Sequence, residues 1–192
     1  MKIRDFPDGY GLVSILLHWG MAVLILGLFA LGLYMVGLDY YHPWYNAAPD
    51  LHRVVGLLTG LLLLLRLAWR AASPRPRPLG REWERRLAAV VHHSLYLLTA
   101  ALVASGYLTS TAEGHGIPVY GWFEVPALRD WGEGMEDRFG ELHEWFAWAI
   151  IALTALHAAA ALKHHYIDRD ATLWRMLGRV PARRSTTEEE RR

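Results

Sequence analysis

Apolar positions in this chain fall into four long runs, and the charged positions gather between them. A bilayer core about 30 Å thick takes about 20 apolar residues as a helix. Four segments reach that length, at about 12–38, 51–69, 87–109 and 143–163. The second contains the unbroken run Leu61 to Leu65. Hydrocarbon offers a backbone N–H or C=O no water to bond, so each segment is predicted as a helix bonded within itself. The pattern therefore predicts an all-α integral membrane four-helix bundle, one unit over residues 10–178.

The polar segments orient the bundle. Between the second and third runs lie Arg70, Arg75, Arg77, Arg81, Arg85 and Arg86, and after the fourth come Lys163, Arg169, Arg175, Arg179, Arg183 and Arg184. The first connection has no Lys or Arg. The third has only Arg129 and Arg138, against Glu113, Glu124, Asp130, Glu133, Glu136 and Asp137. Short loops rich in Lys and Arg stay in the cytoplasm. This predicts a multi-pass protein of the bacterial inner membrane with both termini cytoplasmic. Trp44, Trp122, Trp131 and Trp145 then fall near the outer interface, and Trp69, Trp83 and Trp174 near the inner one, where amphipathic rings are favoured. Ser73-Pro74-Arg75-Pro76-Arg77-Pro78 reads as an extended link, because proline removes donors and restricts its neighbours. The third connection, about 110–140, is long enough to carry structure of its own, expected as a short helix near 127–139. Residues 179–192 read as a disordered cytoplasmic tail. Lys2 and Asp5 precede the first run with no small-residue cleavage site after a short apolar stretch, so that run reads as a retained helix.

Composition changes the picture little. The chain has 192 residues, 53% of them apolar, and a formal net charge of +1, which gives no field for nucleic acid. It has no cysteine, which excludes disulfides, thiolate metal sites and cysteine nucleophiles.

The chemistry lies in ten histidines. Ionisable side chains inside a bilayer are costly and mark function by default, and imidazole is a ligand of heme iron. The fourth run starts outside. His143 stands near its start and His157 fourteen residues on. That offset is ~20 Å of depth, with the two side chains within ~40° of one another around the helix. His52, near the outer start of the second run, matches the depth of His143. His18, near the inner end of the first, matches that of His157. Two layers of paired histidines predict two b-type hemes held edge-on between helices. His92 and His93 lie near the cytoplasmic start of the third run, and either is an alternative inner ligand to His18. His42 and His115 fall in outer loops and read as solvated. Arg53 beside His52, and Arg66 with Arg70 at the inner end of the second run, suit heme propionates; Arg70 also reads as an ordinary inside anchor. His164 lies on the face of His157, two turns nearer the cytoplasm. With Arg66 and Tyr166 it forms a candidate quinone site.

Several stretches resemble the bacterial cytochrome b561 family. They are Ser14-Ile15-Leu16-Leu17-His18-Trp19, Leu51-His52-Arg53-Val54-Val55-Gly56 continuing to Arg66, and His92-His93-Ser94-Leu95-Tyr96. Most specific are Leu142-His143-Glu144 and the run from Leu156-His157 through Lys163-His164-His165-Tyr166. The resemblance spans about residues 10–178 and implies the same ligand pairs: His52 with His143 for the periplasmic heme, His18 with His157 for the cytoplasmic one. His92 and His164 match histidines of the superoxide oxidase type, without an implied ligand role. Single-chain members resemble a superoxide oxidase that reduces ubiquinone, and larger relatives are cytochrome b subunits of membrane hydrogenases and dehydrogenases. The stretch from Tyr107 to Gly121 departs from the family pattern.

Two imidazoles per iron leave no open position, so such a center passes electrons rather than binding oxygen. The leading expectation is an enzyme that oxidises superoxide at the periplasmic side and reduces ubiquinone in the bilayer. The acidic outer loops argue mildly against an anionic donor. A second reading is an electron-carrier subunit serving a partner dehydrogenase, a hydrogenase or a soluble cytochrome. A third, of another class, is a heme-free transporter with a histidine-lined metal path.

Overall fold

The structure, a computed structural model, describes residues 2–179. All but the first residue of the expected tail lies outside that range. Four long helices form the body: α1 (Leu12–Met35), α2 (Ala47–Ala72), α3 (Glu82–Thr111) and α4 (Met135–Tyr166). A two-stranded hairpin, β1 (Ile117–Val119) and β2 (Phe123–Val125), fills the long connection. A short α5 (Thr172–Met176) follows α4. All four long helices are long and apolar enough to cross a membrane. Only 6 to 11% of each apolar window is buried within the protein. Leu16, Val23, Leu97 and Leu156 stand exposed on the flanks. An apolar surface of this extent calls for lipid, not water, as its surroundings. Polar side chains inside the helices bond to their own backbone: Thr59 Oγ donates to the Val55 C=O (2.8 Å) and Thr99 Oγ to that of Leu95 (2.7 Å).

Helix ends depart from the sequence expectation: α1 stops at Met35, short of its apolar run, and α2, α3 and α4 are each longer than theirs. The added turns include charged or polar residues, which the hydropathy of a span does not register. The long connection differs more. No separate short helix forms near 127–139, since residues 135–139 are the first turns of α4; ahead of them the connection forms the antiparallel hairpin, with Ile117 opposite Val125 and Val119 opposite Phe123. Tyr120 and Gly121, both at positive φ (47° and 77°), turn the chain, and the Trp122 N–H closes the turn on the Val119 C=O at 3.0 Å. Gly132 and Gly134 take left-handed φ values of 88° and 76°, so helix begins only after them, at Met135.

α3 packs on α4, α1 on α2, and α2 on α3. Helix α4 therefore has α3 as its close neighbour and meets α1 and α2 through side chains. Phe29 of α1 touches Trp148 edge to face, ring centers 5.0 Å apart. At Gly60 the α2–α3 contact is tight, since a Cβ there would lie 2.8 Å from Val103 Cγ1.

The two ends of the bundle differ. One, the acidic end, carries the hairpin and the first connection. The other, the basic end, is capped by three segments tied together. The Arg77 N–H donates to the Pro7 C=O (2.8 Å), the Arg175 guanidinium to the Arg77 C=O (2.7 Å), and Trp19 Nε1 to the Met176 C=O (3.0 Å). These bonds join the chain ahead of α1, the proline-rich link and α5.

Candidate functional site

Where α4 faces α1 and α2, the space is bridged by histidine rings at two levels. Toward the acidic end, His52 of α2 and His143 of α4 stand with ring centers 6.0 Å apart, planes inclined at 78°. Toward the basic end, His18 of α1 and His157 of α4 stand 6.2 Å apart at 71°. A metal–imidazole bond is ~2 Å long. With ~1 Å more from nitrogen to ring center, two axial imidazoles on one ion lie ~6 Å apart. Both pairs have that spacing.

Local structure positions each ring. At the acidic-end level, His143 Nδ1 lies 3.0 Å from the Leu102 C=O and 3.1 Å from Ser105 Oγ. A carbonyl only accepts, so Nδ1 carries the proton and Nε2 keeps its lone pair for a metal. A metal-ligating histidine typically donates its other ring N–H in this way, which fixes its orientation. Gly106 eases this contact: a Cβ there would lie 3.0 Å from His143 Cε1, so any side chain would push the ring away from the α3 backbone. The opposing His52 Nδ1 is buried with no hydrogen-bond partner. Nothing in the protein constrains its tautomer, and a buried unsatisfied nitrogen is what a bound ion repairs.

The basic-end level is built differently. A third ring, His92 of α3, lies 5.2 Å from His157, closer than two axial ligands on one ion. His93 bonds through Nδ1 to the Ala89 C=O on its own helix (2.6 Å) and is exposed. The Arg66 guanidinium donates to His18 Nδ1 at 3.1 Å. Guanidinium never accepts, so this bond places the neutral ring's proton on Nε2, the reverse of His143. Iron binding through Nε2 of His18 therefore requires Arg66 to withdraw. Arg66 also stacks over Tyr96, 5.4 Å from the ring center.

Heme is the group this donor set fits. There are two imidazole pairs at axial separation, each drawn from helices whose backbones are not packed together. At the acidic-end level the tautomer of one ring, His143, is already set for ligation.

The remaining expected site residues are dispersed. Arg53 pairs with Asp50 at 2.8 Å and does not contact His52. His164 Nδ1 lies 2.8 Å from Asp170 and 3.0 Å from Asp168. Tyr166 is exposed and stacks on His165. The three quinone candidates therefore do not share one pocket: Arg66 turns to His18, His164 to the carboxylates and Tyr166 outward. Beside His164, Lys163 Nζ lies 2.7 Å from both Glu84 and Asp168, so these acids already have their cation. A cleft of about 580 Å³ opens there, lined by Gly80, Arg81, Trp83, Glu84, Lys163, Asp168 and Asp170. Sequence reasoning missed Leu102, Ser105 and Gly106. The signal was available as a small polar pair, Ser105-Gly106, inside an apolar helix, the composition that lets a neighbouring side chain approach a backbone closely.

The family described as prokaryotic cytochrome b561 matches residues 9–179. Cytochrome b561 homolog 2 of Escherichia coli (strain K12) is 46% identical over 181 residues, covering 93% of this chain and 96% of the relative. Cytochrome b562 of Cereibacter sphaeroides is 31% identical over 174 residues, covering 88% and 95%. A probable superoxide oxidase CybB of Yersinia pestis is 28% identical over 172 residues, again covering 88% and 95%.

Proposed function

This chain belongs to the prokaryotic cytochrome b561 family of membrane electron carriers, and from that premise we propose that it carries electrons between a donor at its acidic end and ubiquinone in the bilayer. The observation that carries the reading is the pair of histidine levels, His52–His143 and His18–His157, each at the separation of two axial ligands. Heme bound at both levels supplies one-electron chemistry without an open iron position. The protein's part is to hold the rings, fix their protons and keep water from the slot between α4 and its partners. His143 does this through Leu102 and Ser105. The arginine-rich basic end faces the cytoplasm of a bacterial inner membrane, by the positive-inside rule, so the acidic end faces the periplasm. Quinone reduction takes up protons as well as electrons. The basic end holds His164, in contact with Asp168 and Asp170, with Arg66 and Tyr166 at the same end.

Superoxide is our first donor. It rests on the relative named a probable superoxide oxidase. A specific observation favours a second reading, a cationic protein donor or a partner subunit. Glu113, Glu124, Asp130, Glu133 and Asp137 stand exposed at the acidic end, where Arg53 is already paired with Asp50. Such a field slows an anion and steers a basic protein.

Stopped-flow mixing of the oxidised protein with a superoxide source decides between them. Superoxide as donor predicts heme reduction that superoxide dismutase abolishes. Reduction indifferent to dismutase would eliminate superoxide and leave the protein donor. Separately, a ubiquinone analogue should reoxidise the reduced protein; no reoxidation would remove the acceptor.

A further inference from the structure

Three arginines at the basic end have no carboxylate partner among the described residues. Arg66 and Arg70 lie one helical turn apart on α2, with guanidinium carbons 5.4 and 5.8 Å from the center of the same Tyr96 ring. Arg175 arrives from α5. One of its Nη atoms donates to the Arg77 C=O, and its Nε is buried with no partner. Tyr10, half-buried just ahead of α1, lies within the field of both Arg70 and Arg175. Burial raises its pKa, which keeps the phenol a neutral O–H donor. Among the described residues none of these three arginines forms an ion pair. The nearby Asp5 is engaged by the Gly11 N–H at 2.7 Å. Guanidinium groups gathered this way repel one another and gain most from carboxylates or phosphates, which they grip through paired N–H donors.

We propose that Arg70 and Arg175, with Arg66 and Tyr10, form an anion clamp for the two carboxylates of the heme in the basic-end histidine level. The proposal rests on the two-heme reading above. It adds residues from the chain ahead of α1 and from α5, which makes the basic-end cap part of the cofactor site. The clamp adjoins the histidines, not the outer rim, because Arg66 bonds His18 directly. That contact would give the carboxylates a second effect: with Arg66 drawn toward them, the ring proton of His18 could move from Nε2 to Nδ1, and Nε2 would then be the nitrogen available to hold iron. A lipid phosphate offers the same oxygen chemistry and is the other source of an anion here.

The test uses the full chain with its hemes, in nanodiscs of phosphatidylcholine alone and of phosphatidylcholine with phosphatidylglycerol. Heme content and the midpoint potential of each spectral component are measured for Arg70→Gln, Arg175→Gln, Arg175→Lys and Tyr10→Phe. The basic-end component is the one that His157→Ala removes. Loss of a clamp cation leaves carboxylate charge uncompensated and favours the oxidised iron. Each Gln variant should therefore weaken reduction of that component about tenfold, 59 mV for a one-electron couple, in both lipids. Arg175→Lys should retain most of the wild-type potential, and Tyr10→Phe should show a smaller shift of the same sign. The acidic-end component should not move. Two hemes with unmoved potentials, or equal shifts in both components, would overturn the clamp alone. A wild-type potential that responds to phosphatidylglycerol, with the response lost in the Gln variants, would assign the anion to lipid and overturn the heme carboxylates. Absence of heme from the unaltered protein would remove the two-heme reading, and the clamp with it.

Discussion

The two histidine levels of this bundle have nearly the same ring separation, 6.0 and 6.2 Å, and opposite preparation for a metal. At the acidic end one ring is set for ligation by a backbone carbonyl and a serine, and the other has a free nitrogen. At the basic end an arginine holds one ring in the opposing tautomer, and a third histidine crowds the second ring. Equal geometry therefore does not mean equal readiness. The acidic-end level is preorganised, so binding there costs little rearrangement. Iron binding through Nε2 of His18 at the basic-end level would require the Arg–His bond to break, so filling that level would depend on where that arginine goes.

The largest expected effect tests whether the levels are separate at all. His143→Ala should take the b-heme content from near two per chain to near one, and His157→Ala should do the same by removing a different spectral component. Pyridine hemochrome assay and low-temperature spectra read both. Loss of the same component in both variants would merge the levels and end the comparison.

The next effect sharpens the crowded level. His18→Ala should remove the basic-end component outright, whereas His92→Ala should leave heme content near two and shift only its spectrum or potential. The reverse result would make His92 the ligand and give the Arg66–His18 bond a purely structural role.

A smaller effect probes preorganisation. Gly106→Ala places a methyl carbon about 3.0 Å from His143 Cε1, tighter than ordinary contact. The ring must shift and stretch its bond to Leu102, a cost of roughly 1 kcal/mol for a weakened hydrogen bond. Heme at the acidic-end level should be lost about fivefold faster to apo-myoglobin, with the basic-end rate unchanged. Equal loss at both levels would mean a general loosening of the α3–α4 contact.

The smallest effect is one of pH and should leave the comparison intact. Burial opposes ionisation of the Asp170 carboxyl, but its bonds from Thr172 and the His164 imidazole outweigh this and hold its pKa below the ordinary carboxylate value. Its contribution to docking the segment after α4 is therefore complete above that ordinary value. It is lost only as pH falls through the lowered one. Between pH 7 and 5 amide exchange in residues 167–176 should change little on account of Asp170, and it should accelerate below about pH 4. Asp170→Asn should abolish the acid-dependent part. Acceleration that survives in Asp170→Asn would assign it to other carboxylates.

How much of this was readable beforehand follows from the range of each interaction. The four spans, the basic and acidic ends and the fourteen-residue offset of His143 and His157 are properties of a single helix or of loop charge. Bilayer thickness and a fixed rise per residue convert such features directly into depth. Depth also matched His52 to His143 and His18 to His157. It could not separate His18 from His92, whose rings both stand near His157 on different helices; that choice depends on how α1 and α3 sit around α4. The hairpin at 117–125 was hidden because its strands are three residues long and its turn depends on two positive φ values. The dispersal of Arg66, His164 and Tyr166 was hidden for a related reason. Sequence places them at one end of the bundle, while their partners, His18, Asp170 and His165, set where each points. The protons of the ligand rings lie furthest from what sequence determines. The Leu102 carbonyl and the Arg66 guanidinium reach His143 and His18 across 41 and 48 residues of chain. A hydrogen bond between neighbouring helices depends on their rotation and separation to within a fraction of an ångström, and only the packed bundle sets those.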